Sequence, residues 1–240
     1  EPYYNFCPSA LRTSAEREGE EYLLSGKKCL VPLAPQCEHL LCFATTAPGT
    51  GFSGVEAFLL PRGASGLEVG EREAHMGIKA LPTYPVTLKE CRVPASARLG
   101  EERGSDFSRL LARSRLALAA LAVGMSRRAL EHSRNYARER VAFGEPIGSR
   151  QSIAFMIAEM AIEVDACRLL VWEAAWRCDR GLEFFREASL AKLYAAEMAM
   201  QVGDRAVQIM GGHGYVRENP PELWFRNARG FAAFEGMVMV

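Results

Sequence analysis

Glu235 stands between Phe234 and Gly236, at the end of the run Arg226-Asn-Ala-Arg-Gly-Phe-Ala-Ala-Phe-Glu-Gly236. A carboxylate in apolar company is desolvated, which raises its pKa and makes it a base that works near neutral pH. Upstream lies a glycine-rich turn, Gln208-Ile-Met-Gly-Gly-His-Gly-Tyr215. Its glycines would let backbone N–H groups come close to a phosphate or a ring. Together the two features point to proton abstraction beside a bound cofactor. The residues alone leave a second reading open, in which Glu235 caps or pairs at a helix end and Gly211-Gly212 only terminates a helix.

Two kinds of element must position these residues. Residues 1 to about 100 read as strands: 22–31 with a break at Gly26, then 40–46, 55–61, 67–71 and 86–93. They are rich in apolar and β-forming residues and are punctuated by turns such as Pro48-Gly-Thr-Gly51. From about 105 the apolar period becomes 3.6. Helices are expected over 107–139, 150–178, 183–210 and 220–233. The clearest stripe is Ile153, Met156, Ile157, Met160, Ala161, Val164, Cys167 and Val171. Gly211-Gly212 stops the third helix and Pro220-Pro221 opens the fourth. The expected fold is therefore α+β. A small antiparallel β barrel or sandwich (1–100) precedes an antiparallel helical bundle (101–240), with the boundary near Leu99-Gly100-Glu-Glu-Arg-Gly104.

Composition removes several classes of function. Lys+Arg and Asp+Glu both number 29 in 240 residues. That balance argues against recognition of nucleic acid or an anionic membrane by bulk charge. No run approaches the roughly 18 apolar residues of a membrane span, and the start has no signal-peptide pattern. Seven cysteines in no framework spacing read as reduced thiols in a cytosol-like compartment. Cys37-Glu-His39-Leu-Leu-Cys42 lacks a fourth ligand and alternates like a strand, so no metal is expected.

Further motifs carry a family resemblance. Arg138-Glu-Arg140-Val-Ala-Phe143-Gly144-Glu-Pro-Ile147 with Gln151, the 208–215 loop and Phe234-Glu-Gly236 together resemble the ordered signatures of acyl-CoA dehydrogenases. Glu159-Met160-Ala161 and Ala191-Lys192 fit the same register, as do Gly26-Lys27 and Val93-Pro94 in the first half. The resemblance implies that Glu235 removes the α-proton of an acyl-CoA thioester while hydride leaves the β-carbon for flavin N5. It implies FAD held by Arg140, Phe143, Gln151, Gln208, Gly211 and Gly212, in part across a subunit interface. It places Arg115 near the acyl-CoA site and Phe234 and Gly236 in the thioester pocket. It further implies a homo- or hetero-oligomer, a flavoprotein-type electron acceptor, and a cytoplasmic (or, in a eukaryote, mitochondrial matrix) location.

The chain also departs from that pattern. It begins inside the β domain, without the helical domain that precedes it in most members, and stops soon after Glu235. Asn5-Phe6-Cys7 stands where Gly-Ser-Asp is usual. Cys29 and Val31 replace an aromatic and a hydroxyl residue near the flavin ring, and Met237-Val-Met239 replaces Thr-x-Glu or Thr-x-Gln. Losing a stacking face and hydrogen bonds weakens flavin contacts. Two alternatives follow: a non-catalytic subunit that assists a neighbour's FAD site, and a relative of the oxidase type.

Overall fold

A computed structural model describes residues 1–3, 6–100 and 103–234. Among the described residues the chain divides into two compact units, Glu1–Leu110 with Phe234, and Leu111–Ala233. Among the described residues no helix is long and apolar enough to cross a membrane.

The first unit is built on one six-stranded sheet. Its strands are β1 (Ser14–Glu18), β2 (Glu21–Pro32), β3 (His39–Thr45), β4 (Val55–Pro61), β5 (Leu67–Val69) and β6 (Thr83–Pro94), in the order β4-β3-β1-β2-β6-β5. The pairings are antiparallel except β1 with β3, which is parallel. The ladder does not close into a barrel, but it curls strongly. Tyr22 on β2 meets Phe58 on β4 edge-on at 5.1 Å, whereas three ladder steps in a flat sheet would separate these strands by about 14 Å. Just past β6, Arg98 bridges to Phe58 on the edge strand β4, and Leu99 N–H donates to Ala57 O.

Bulges produce the curl. The β2–β6 register shifts between Leu24 and Gly26 and again between Lys28 and Val31, and each shift bends the strand. Gly26 is therefore not the turn its sequence suggests but a bulge inside one twelve-residue strand. A Cβ there would stand 2.6 Å from Thr13 Oγ1 and 2.8 Å from its Cα, so only glycine lets the chains approach. The concave side buries Leu24, Phe58, Leu60, Val86, Leu88 and Val93.

Carboxylates stitch this unit together. Glu1 accepts from Thr13 N–H at 2.8 Å, Thr13 Oγ1 at 2.6 Å and Lys28 Nζ at 3.3 Å. Burial pushes the Glu1 carboxyl up, but these partners and Arg12 N–H outweigh it and hold the group below its ordinary value. Glu56 takes Arg98 Nη2 at 2.6 Å and Ser105 N–H at 3.0 Å. Glu73 accepts from Leu30 N–H at 3.0 Å and Thr83 Oγ1 at 2.7 Å. It thereby fixes the β2 bulge at Leu30, which has a φ of 55°.

The second unit is helical. It comprises α1 (Phe107–Glu139, from Leu111 onward), a short hairpin β7 (Val141–Ala142) and β8 (Glu145–Pro146), α2 (Gln151–Asp179), α3 (Phe185–Met210), α4 (Gly212–Tyr215) and α5 (Pro221–Ala233). The core is rich in alanine: Ala119, Ala122, Ala191, Ala195, Ala199 and Ala206 are all buried, with Met160, Val164 and Cys167 between them. Small side chains let helix axes approach to the short end of the usual 8–10 Å. Gly203 takes this furthest, since a Cβ there would lie 3.1 Å from Phe225 Cα on α5. The third helix begins two residues later than its composition suggests. The Glu183 carboxylate is spent accepting the N–H groups of Phe184 (3.2 Å) and Phe185 (3.0 Å), so it caps the helix rather than joining it.

Candidate active site

The residues matched to FAD lie at one end of the helical unit. After α1, Arg140 N–H still donates to Tyr136 O, and Ile147 N–H returns to Arg140 O, which closes the hairpin. Its two-residue turn is Phe143-Gly144, with φ of 58° and 87°. Two consecutive positive φ values match the twist of a hairpin, and the cost of holding a phenylalanine there is a sign that its placement matters. Phe143 is 90% exposed. Arg150 lies over its ring at 5.1 Å and pairs with Glu145 Oε1 at 3.3 Å. Arg140 and Gln151 are exposed beside it. Arg150 stands at the N-cap of α2 with no side-chain hydrogen bond; Ile153 N–H already donates to Arg150 O at 3.0 Å, so an anion there would meet the N–H groups of Gln151 and Ser152.

The glycine-rich turn reaches the same end. Gly211 follows α3 with φ 56° and ψ −134°, a conformation that an L side chain rarely adopts. Its N–H donates to Gln208 O at 3.1 Å. A Cβ on Gly211 or Gly212 would meet nothing within 4 Å, so the backbone there is open to close approach. His213, next along, contacts Tyr136 on α1, with Oη to Nδ1 at 3.4 Å and rings 6.2 Å apart. That contact brings the turn alongside the α1 end that carries Arg140. Gln208, Gly211 and Gly212 are all exposed.

Arg115 is elsewhere. Its Nη1 donates to Ser189 Oγ at 2.7 Å and its guanidinium lies over Phe185 at 5.0 Å, both near the start of α3. Along α1 it is 21 residues from Tyr136, or about 32 Å at 1.5 Å per residue. The helical unit thus holds the FAD-matched residues at one end and the substrate-matched arginine at the other. Phe234 sits half-buried in the turn after α5. Glu235 and Gly236 lie outside the described residues. Among the described residues, no group of three His, Cys, Asp or Glu side chains could hold a metal ion.

The roles of four residues escaped the sequence. Tyr136 and His213 join the hairpin to the glycine turn, and nothing in their spacing announces it. Arg150 stacks on Phe143, a pair set by the hairpin rather than by helical periodicity. Gly214 is buried, and a Cβ there would come within 2.4 Å of Val207 O. The third glycine of the turn therefore serves packing, while the first two present backbone.

The chemistry of this donor set fits a dinucleotide cofactor. A guanidinium fork suits a pyrophosphate, an exposed aromatic offers a ring face, and open glycine backbone allows close contact.

Comparison with known proteins gives this fit a lineage. Residues 6–91 match the model of the acyl-CoA dehydrogenase middle domain, and residues 105–238 match that of the acyl-CoA dehydrogenase C-terminal domain. The chain is 36% identical to the caffeyl-CoA reductase-Etf complex subunit CarC of Acetobacterium woodii, over 100% of this chain and 64% of that protein. It is 36% identical to the human mitochondrial short-chain specific acyl-CoA dehydrogenase, over 98% and 58%. The structure of butyryl-CoA dehydrogenase from Megasphaera elsdenii superposes with a TM-score of 0.84 at 34% identity, covering 94% of this chain and 60% of that one. The chain thus spans about three-fifths of the length of these relatives. From Phe6 through the helical unit, it belongs to the acyl-CoA dehydrogenase family.

Proposed function

We propose that the protein carries out flavin-dependent α,β-dehydrogenation of an acyl-CoA thioester, with Glu235 as the α-proton base. The observation that carries this reading is the open end of the helical unit. Arg140, Phe143, Gln151, Gln208, Gly211 and Gly212 are all exposed there, joined through Tyr136 and His213. The family membership supports reading that end as a cofactor site. FAD, when bound, supplies the hydride acceptor at N5. Arg140 and the first turn of α2 would hold its pyrophosphate, and Gly211 and Gly212 would let backbone approach it. Phe143 offers its exposed ring to the cofactor. Glu235, flanked by Phe234, takes the α-proton in a site from which water is kept out, since a thioester α-proton is only weakly acidic.

The separation of Arg115 from the FAD-matched residues supports a site shared between copies. One copy would present Arg115 and Glu235 to substrate, and its neighbour would present Arg140 and Phe143 to the same cofactor. A flavoprotein-type acceptor reoxidises the cofactor in this reading. The caffeyl-CoA reductase relative is itself named as a subunit of an Etf complex.

The test is a visible absorption spectrum of the purified protein together with acyl-CoA turnover against an artificial electron acceptor. Flavin bands near one per chain and acyl-CoA-dependent bleaching are expected. A colourless protein that stays inert with added FAD would sink the reading.

A second reading has one specific support. The chain is 30% identical to the prolyl acyl carrier protein oxidase AnaB, with a TM-score of 0.88. Peroxide formation in air without an added acceptor, on a carrier-bound thioester, would favour an oxidase.

A further inference from the structure

Residues 70–82 join β5 to β6 with no helix or strand of their own. Most connections between antiparallel neighbours take about 2–5 residues, and a longer irregular one usually carries a function. The segment folds back on itself. Glu73 N–H donates to Thr83 O at 2.9 Å and Leu81 N–H to Ile78 O at 3.0 Å. Arg72 Nη2 donates to Lys79 O at 2.9 Å and ties the two arms together. Between the arms lies a cavity of about 260 Å³.

The lining is of two kinds. Ile78, Leu81 and Pro82 are apolar, while Arg72 and Lys79 bring two positive charges. Both cationic side chains are exposed, and neither forms an ion pair among the described residues. The carboxylate of the lining is already engaged. Glu73 Oε2 accepts from Leu30 N–H at 3.0 Å and from Thr83 Oγ1 at 2.7 Å. Because Thr83 gives its proton to Glu73, its oxygen is left to accept from His75 Nε2, 2.6 Å away. That chain of bonds pins the His75 ring in the cavity wall. Ile78 is held at a φ of 50°, a conformation that a β-branched residue rarely adopts. Strain of this kind gathers at ligand sites.

We propose that this cavity binds a small organic acid. Its carboxylate pairs with Arg72 and Lys79, and its short aliphatic body lies against Ile78, Leu81 and Pro82. Charge-assisted hydrogen bonds fix the head, and the apolar lining takes the body out of water. The volume sets the size. It equals roughly nine waters' worth of liquid, which suits a ligand of about eight heavy atoms. A bare inorganic anion would leave the apolar lining wet, and a neutral chain would leave both cations unpaired. The cavity lies within the β unit and does not rest on the flavin reading, so failure of either leaves the other standing.

The experiment is a titration of the full chain with hexanoate at fixed pH and ionic strength, read from imidazole NMR signals. The chain has 4 histidines, and the His75 signals are assigned by their loss in His75→Asn. Hexanoate should shift them saturably, with a Kd on the order of 1 mM for a ligand of this size. Acetate should bind at least about 10-fold more weakly, because it lacks the methylene groups that are buried. Hexanol and inorganic phosphate should leave the His75 signals in place at the concentration where hexanoate saturates. Lys79→Gln should weaken hexanoate binding about 10-fold. Its Tm without ligand should not change, because the Lys79 side chain is exposed. His75 signals that do not move with hexanoate, an equal response to acetate, hexanol or phosphate, or unchanged affinity in Lys79→Gln would each overturn the proposal.

Discussion

The two ends of the helical unit treat their polar residues in opposite ways. At the end where α3 begins, Arg115 is committed to Ser189 Oγ and the Phe185 ring. Glu183 is committed to the first N–H groups of the helix. At the end where α3 finishes, Arg140, Gln151 and Gln208 stand exposed, Phe143 projects almost fully, and Gly211 presents bare backbone. A protein spends stability to leave an aromatic ring and a positive-φ turn on its surface. The polar groups of the closed end are engaged within the fold, whereas those of the open end stand exposed. The comparison teaches where the cofactor is expected: at the end whose donors face outward.

The sharpest way to break that comparison uses a residue that acts chemically. Glu235→Gln keeps shape and removes basicity, so turnover should fall by about 10²–10⁴-fold with flavin absorbance retained. Unchanged turnover would return Glu235 to the capping role that its neighbours also permit. Next comes Arg140→Ala at the open end. Loss of a charge-assisted fork, about 1.5–3 kcal/mol, should weaken FAD binding about 10- to 100-fold by titration. The unfolding midpoint without FAD should stay where it is; a drop there would make Arg140 structural.

Glycines sharpen the contrast within one turn. Gly214→Ala forces a Cβ against Val207 O and should cost about 1–3 kcal/mol in urea unfolding. Gly212→Ala meets open space and should leave stability within about 0.5 kcal/mol. Equal losses would contradict the division of labour between packing and presentation. At the closed end, Arg115→Ala should remove a hydrogen bond and a ring contact and lower stability by about 1 kcal/mol, with FAD affinity unchanged.

The smallest expected effect is a pH dependence. Burial, with Arg128 nearby, holds the His132 imidazole below its ordinary value, and the ring meets Trp224 edge-on at 5.5 Å. The unfolded chain therefore binds the proton more readily than the folded one. Stability from this group is complete above the unfolded pKa of about 6.5 and declines as pH falls through it toward the lower folded pKa. Replacing His132 with Gln should flatten the acid limb of a Tm–pH profile below the unfolded pKa of about 6.5. An unaltered limb would assign that loss to other groups.

Much of this was legible in the chain. The 3.6-residue stripe from Ile153 to Val171 anticipated α2, and Gly211 anticipated the end of α3, because both are local consequences of burial period and backbone freedom. Gly26 misled, since a glycine that turns and a glycine that admits Thr13 look the same until the partner strand is known. Strand β1 was missed, because Ser-Ala-Glu-Arg-Glu buries one side chain fully and carries no apolar alternation to detect. Its place in the sheet comes from pairing with β2. The curl that brings Phe58 to Tyr22 was equally invisible, being set by bulges that exist only in register with β6.

By itself, then, the sequence determined the alternation of a β unit and a helical unit, the order of the motifs and the family they spell. Those properties depend on residue type and spacing along one chain. Only the tertiary structure decided which of the matched residues meet. Tyr136 and His213, 77 positions apart, bring the Arg140 hairpin to the glycine turn, while a rigid helix keeps Arg115 about 32 Å away. Contacts between elements depend on how helices pack and strands curl, and no single segment carries that information.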